Sequence, residues 1–371
     1  MLRNKTFFTL LALLLILFVL SNFFIWKMWT EKLLSPRYKG GDLTRLGYIA
    51  QLKKVRNTVI DLPRRHAELR GMPTGPVDMV TLGDSFSIGG GEGRNKYYQD
   101  YIATYSGIRV LNVPTYHFDT MVSGAMPVST LAALYHAGWL DILKPRYVLL
   151  ETAERYAIPR LVNFFDLNAT APAADLVNYY RVTDFSKTVN EDISFINDGN
   201  FKFLYYTLMY QFSEHAFRRL VVKTRLTKSL FSGHYGDILL FHGDDVQQEP
   251  LATPETVRIA NDNLNAMARL LRKKGIELVF MPVVDKLDLY RPYVKNNAYP
   301  RSVFFEELRK LPREYRLIDT KAILSEALNK GMQDIFHQDD THWTWRASEL
   351  IFSRERFAAP PSHPATSPGK K

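Results

Sequence analysis

The 371-residue chain contains no cysteine. That excludes disulfides, thiolate metal sites and a cysteine nucleophile together. It leaves the compartment open, because a large domain can be stable without disulfides outside the cytoplasm. His-Glu-x-x-His is absent. The run Gly89-Gly90-Gly91-Glu92-Gly93 is not followed by Gly-Lys-Ser/Thr, so it is no phosphate loop. The net charge is +10, yet no zinc-finger spacing, glycine-aromatic RNA motif or basic zipper accompanies it. Nucleic acid is therefore not an expected partner. The excess charge serves solubility or faces an anionic lipid or acidic polymer. His117, His234 and His242 lack metal-ligand spacing and read as structural or solvated residues. No metal and no cofactor is expected.

Phe7 to Trp26 carries no charge. About 20 such residues cross a hydrocarbon layer of about 30 Å as a helix. Arg3 and Lys5 precede the run, and Trp26 and Trp29 stand where an interfacial belt would lie. The run is long for a signal peptide and no small-x-small site follows. Residues 1–29 thus read as an uncleaved anchor in the inner (cytoplasmic) membrane, with a cleaved signal as the alternative. Lys27, Lys32, Arg37 and Lys39 follow it, so the positive-inside rule does not set the orientation. So little chain precedes the span that the bulk is expected outside the cytoplasm, in the periplasm.

Apolar residues make up 46% and charged residues 23% of the chain, which suffices for a full core. Residues 30–76 read as a basic connector with a helical patch at Leu46–Val59. Strands are expected over 77–82, 108–113, 147–150, 276–284 and 315–319, and helices over 95–105, 129–143, 256–274, 302–309 and 344–357. That alternation predicts an α/β domain over 77–357, a parallel sheet with helices on both faces. Residues 156–255 break the rhythm and read as an insertion or cap. Within them Phe201, Leu204, Tyr205, Leu208, Met209 and Phe212 share one helical face. It is expected to be buried in the cap, with a membrane-facing or partner-facing helix as the alternative. Arg218, Arg219, Lys223, Arg225 and Lys228 form a basic run, a solvated face or a site for anionic lipid or glycan. Residues 358–371 read as a disordered tail.

Two short stretches carry chemistry. Gly83-Asp84-Ser85-Phe86-Ser87 directly follows the first expected strand. A serine hydroxyl is a weak nucleophile unless a base takes its proton. A sharp strand-to-helix turn lifts it to the carboxyl edge of the sheet, where the following helix aims free N–H groups. Asp339-Asp340-Thr341-His342-Trp343 precedes the last helix. It supplies an imidazole base with an acid to orient it. For the oxyanion donors, the backbone N–H groups of Ser85 and Gly124 are candidates. Arg155 either steadies an oxyanion or pairs with Glu151 or Glu154. Trp343 either packs over the histidine or fills the core.

Serine after the first strand and Asp–His before the last helix is the arrangement of the SGNH (GDSL-like) hydrolases, which this chain resembles. Gly83–Ser87 looks like their first block. Asp340-Thr341-His342-Trp343 is similar to the signature of the DHHW branch, which includes alginate O-acetyltransferase-like proteins. Glu151–Tyr156 resembles a Glu-x-x-Glu-Arg stretch of that branch. The likeness covers roughly residues 77–156 and 256–352. It implies a flavodoxin-like sheet and a Ser85, His342, Asp340 triad, with Asp339 as the alternative acid of an Asp-x-x-His spacing. It implies an O-acyltransferase, O-acetyl by preference, with a polysaccharide acceptor and a membrane-bound acyltransferase as acyl donor. An esterase with the same triad and a non-catalytic glycan-binding subunit are the rivals. The Gly-x-Asn-Asp block is absent, and the alginate enzymes carry their histidine motif before their serine motif, so alginate is not carried over as substrate.

Overall fold

The computed structural model describes residues 2–35, 40–50, 59–91, 93–118, 126–183, 194–233 and 235–358. Two short apolar runs, Met79–Leu82 (β2) and Tyr147–Ala153 (β4), are buried along their whole length. Strands covered on both faces have no solvent side to mark with polar residues, which is the signature of a parallel sheet. Six strands build that sheet: Ala67–Glu68 (β1), β2, Val110–Asn112 (β3), β4, Glu277–Val283 (β7) and Arg316–Leu317 (β8). Their spatial order is β1-β3-β2-β4-β7-β8, and every pairing is parallel. The chain leaves β2 toward β3 on one side and returns to β4 on the other. The reversal marks a topological switch point beyond the carboxyl end of β2, the place where open α/β sheets bind ligands.

Helices flank the sheet. Tyr98–Ser106 packs on Trp345–Arg354, with the Tyr98 and Phe352 rings stacked at 5.6 Å. Pro254–Arg272 packs on β7 and on Phe304–Lys310. Its start is written locally: Pro254 sits in the first turn, and Thr253 and Thr256 satisfy each other's backbone N–H at 3.2 and 2.9 Å. The expected strands and helices occur with shifted ends. The stretch 129–143 is interrupted instead of continuous, with helices at Pro127–His136 and Trp139–Leu143 parted by Gly138 at φ 73°. A helix at Thr320–Asn329 was not foreseen.

Most of the helical patch expected at Leu46–Val59 falls on residues 51–58, which lie outside the described residues; a helix at Asp42–Leu46 precedes it. The same connector stretch supplies the sheet's edge strand, β1. Inside 156–255, Val221–Arg225 (β5) and Ile238–His242 (β6) form a separate antiparallel pair. Leu43 packs there with Val221, Ile238 and Leu240. The helix Asp198–Phe212 buries Phe203 and Tyr206. Most of the face expected to be buried is the outward one: Phe201, Leu204, Tyr205, Leu208 and Phe212 are exposed, and Met209 is half-buried. The basic run divides: Arg225 pairs with Asp237 at 2.6 Å, Lys228 lies 4.1 Å from the Tyr293 ring centre, and Arg218 and Arg219 are exposed.

Lys5–Leu34 is an apolar helix long enough to span a bilayer, and none of its most apolar window is buried against the rest of the chain. The tail beyond residue 358 lies outside the described residues.

Register at the end of β2 fixes one residue type. Leu82 pairs with Leu150, so the next positions, Gly83 and Glu151, lie side by side. A Cβ on Gly83 would stand 2.1 Å from both Glu151 Oε2 and Ser87 Oγ. Gly83→Ala is expected to lower unfolding stability by about 1–3 kcal/mol, as overpacking of a closed site does, measured by denaturant titration.

Candidate functional site

The serine loop is tied down by buried charge. Asp84 is buried, and its carboxylate accepts from Phe86 N (3.2 Å), Ala153 N (2.9 Å) and Arg160 Nη1 (2.6 Å). Burial alone would raise its pKa, but the Arg160 charge and these donors hold it well below the ordinary carboxylate range. Glu151 takes the opposite course. Its Oε2 accepts from Asp84 N at 2.9 Å and Ser87 Oγ at 2.8 Å, while burial and the Asp84 charge push its pKa well above normal. The two neighbouring acids are pushed in opposite directions, Asp84 toward ionisation and Glu151 toward its neutral form, which eases the meeting of like charges in the core.

The histidine loop is tied from below. Lys286, just past β7, is buried, and its ammonium donates to the carbonyls of His337 (2.6 Å), Gln338 (3.0 Å) and Asp340 (3.0 Å). Burial draws its pKa down to about 8, against the pull of Asp339, Asp340 and Asp42. The tether presents His342 at the switch point.

Ser85 and His342 meet across 257 positions of chain: His342 Nε2 lies 2.7 Å from Ser85 Oγ. On the other side of the ring, Nδ1 lies 2.6 Å from Asp340 Oδ1, which also accepts from the His342 N–H at 3.0 Å. Asp340, not Asp339, therefore faces the imidazole. Asp339 is fully buried and accepts from Gly41 N at 3.0 Å. Burial lowers the His342 pKa, but the charge and hydrogen bond of Asp340 outweigh it and the net shift is upward. A hydroxyl, imidazole and carboxylate so aligned can move a proton from oxygen to nitrogen and steady the cation formed.

The ring is held by Phe86, not Trp343. The Phe86 centroid lies 4.7 Å from His342 and 5.0 Å from Trp343, which is buried behind it. No helix begins at Ser85. Residues 85–90 form turns, and the next helix starts at Tyr98, so the expected helix N-terminus does not serve this spot. Among the described residues the Ser85 N–H has no acceptor, which leaves it available to an oxyanion. Gly124 lies outside the described residues. Arg155 pairs with neither Glu151 nor Glu154. Its Nη1 donates to Asp285 at 2.5 Å and Asp245 at 3.4 Å, and its Nε is buried without a partner. Its charge is spent on those aspartates, which weakens the case for a substrate role. His242 accepts from Asp244 N at 3.1 Å and caps a helix, a structural role. His234 lies outside the described residues.

Besides Lys286, two contributors escaped sequence reading. The glycine run was set aside for lacking a phosphate-loop ending, yet a Cβ on Gly90 would stand 2.2 Å from His342 Nε2. Only a bare backbone lets this loop pass over the ring. The other is Asp42, whose Oδ1 accepts from Thr341 N at 2.8 Å and whose N–H donates to Asp340 Oδ2 at 3.2 Å. Nothing local marks a connector aspartate for that role. Asp42, Asp340 and His342 offer three donor atoms within 4.8 Å of one another, a spacing that can hold a cation. Hydrogen bonds already engage them: Nδ1 to Asp340, and Asp42 to Thr341.

The chain is thus an α/β protein with a parallel six-stranded sheet, an apolar N-terminal helix, and a Ser–His–Asp array at the sheet's carboxyl edge. Comparison with protein-family models found no match, and comparison with curated proteins found no relative.

The His342 ring should titrate above its ordinary value by proton NMR. Asp340→Asn should move that titration down, and Asp339→Asn should leave it in place. Lys286→Met strips three carbonyls of their donor and leaves buried carboxylates uncompensated. It is expected to cost about 2–5 kcal/mol of stability in denaturant unfolding.

Proposed function

We propose that this chain is a membrane-anchored, extracytoplasmic O-acyltransferase of SGNH type, acting on a cell-surface or secreted polysaccharide with O-acetyl as the preferred group. The observation that carries the reading is the continuous line Asp340–His342–Ser85, with contacts of 2.6 and 2.7 Å, at the switch point beside β2. Ser85 Oγ attacks the carbonyl carbon of a donor ester as its proton passes to His342 Nε2. The C–O bond to the leaving group breaks, that group takes the proton, and an acyl-serine remains. A sugar hydroxyl then gives its proton to His342 and attacks the acyl carbon. The Ser85 Oγ–carbon bond breaks, and His342 returns the proton to Ser85. The Ser85 amide supplies one oxyanion donor. No cofactor is required by this sequence of steps. The membrane-bound acyltransferase implied as donor rests on family resemblance.

Ser85→Ala is expected to abolish acyl transfer to the glycan without altering the unfolding midpoint, and unchanged acylation would overturn the proposal. A fluorophosphonate probe should label Ser85, whereas a folded, unlabelled protein would indicate a non-catalytic glycan-binding subunit. Release of acetate from a chromogenic ester that no oligosaccharide acceptor diverts would identify an esterase. A base must be unprotonated. With the His342 pKa raised, turnover should climb with pH through a midpoint above the ordinary histidine value. Asp340→Asn should move that midpoint down and slow turnover by on the order of 10²- to 10⁴-fold. Gly90→Ala should cost about 10²-fold in turnover, since a displaced base loses its alignment.

A further inference from the structure

The helix Asp198–Phe212 carries a burial pattern that a soluble surface does not call for. Phe201 is 73% exposed, Leu204 49%, Leu208 57% and Phe212 84%, with Tyr205 beside them. Their spacing of three and four residues draws one stripe along the helix, roughly 16 Å from end to end at 1.5 Å per residue. An isolated exposed apolar residue is ordinary, whereas a contiguous aromatic stripe marks a contact surface.

The opposite face of this helix grips the base of the N-terminal helix. Asn200 Nδ2 donates to Asn22 Oδ1 at 2.9 Å and to Asn22 O at 3.3 Å, and Thr30 Oγ1 donates to Asn200 Oδ1 at 2.5 Å. The Phe203 and Trp29 rings stack at 5.4 Å. Just upstream, Phe195 meets Phe23 edge-on at 6.0 Å. Asn22 and Trp26 are where the uncharged run gives way to polar and charged residues, the level of a bilayer's headgroups. The stripe therefore begins at the height where the apolar helix leaves hydrocarbon. Lys27 lies at the same level, and the exposed pair Arg218–Arg219 closely follows the helix, beside the exposed Phe217. Cations bordering an aromatic face are the make-up of a helix that lies in an anionic interface.

We propose that the stripe Phe201–Leu204–Tyr205–Leu208–Phe212 is a second membrane contact, seated in the headgroup region of the bilayer that the N-terminal helix crosses. This rests on the anchored reading given above. It adds that the body is docked on the lipid surface and not merely tethered to it. The contact reaches the site by a short path. Tyr206 of this helix meets Tyr48 ring to edge at 5.1 Å, and Gly41 and Asp42 bond the Asp339–Thr341 loop. Docking is thereby linked through these contacts to the loop that carries His342.

The natural absence of cysteine allows single cysteines to be placed and labelled without background. The full chain is reconstituted in phosphatidylethanolamine–phosphatidylglycerol vesicles as Leu14→Cys, Phe201→Cys, Leu208→Cys, Phe212→Cys or Asp262→Cys, each carrying an environment-sensitive nitrobenzoxadiazole label. Leu14 reports the span, and the exposed Asp262 on the sheet-covering helix reports water. The expected result is a blue shift and quenching by lipid-borne quenchers at 201, 208 and 212, intermediate between positions 14 and 262. If position 14 is lipid-immersed while the stripe reads as position 262 does, the docking proposal is overturned and the anchor stands. If position 14 itself reads as water, the anchored reading falls, and this proposal with it. Shielding of the stripe that grows with protein-to-lipid ratio and is insensitive to lipid quenchers would assign the face to a second copy of the chain, and would equally overturn it.

Discussion

The loop that carries His342 has three consecutive-region carbonyls, those of His337, Gln338 and Asp340, gathered around the buried ammonium of Lys286. A buried ammonium needs oxygen partners, and a buried loop needs donors for its carbonyls, so each satisfies the other. That reciprocal demand places the imidazole. Together with the Phe86 ring packed on His342 and Trp343, it brings two stretches far apart in the chain within 2.7 Å. β7 is a long, wholly paired strand against β4, and it delivers Lys286 to the same edge where β2 delivers Ser85.

The edge holds many acids, and the fold manages them by giving each a different neighbour. Asp84 has Arg160 and stays ionised; Glu151, beside Asp84, is pushed toward its neutral form. Asp340 faces His342, and Asp42, half-buried next to Asp340, is pushed upward in pKa, first by loss of solvent and then by that charge. Arg155 answers Asp285 and Asp245. Asp340 makes the 2.6 Å contact to the imidazole, with Asp42 Oδ2 3.9 Å from the same nitrogen, while Asp339 is turned away to accept from Gly41 N and cannot substitute for it.

The route from the N-terminal helix to the site is short because residues 41–44 are shared. Gly41 and Thr44 bond to Asp339, and Leu43 packs on the β5–β6 pair. A segment that reads as a spacer is in fact clamped between the insertion and the histidine loop. Residues 41–44 thus tie the histidine loop to the β5–β6 pair of the insertion.

Periodicity and local chemistry were enough to foresee the alternation of strands and helices, the apolar N-terminal helix, and two stretches, Gly83–Ser87 and Asp339–Trp343, whose side chains meet at the sheet's edge. These follow from side-chain sequence within a dozen residues, where spacing alone sorts buried from exposed. The choice of Asp340 over Asp339 needed the loop's backbone path, since both lie within reach on paper. Gly90, Asp42, Lys286 and the Glu151–Asp84 pairing were invisible, because their meaning lies in contacts with residues far along the chain. The outward turn of the 198–212 stripe was equally undetermined: an amphipathic pattern says that two faces differ, and only packing of Phe203 on Trp29 and of Tyr206 on Tyr48 decided which face would be covered and which row left bare.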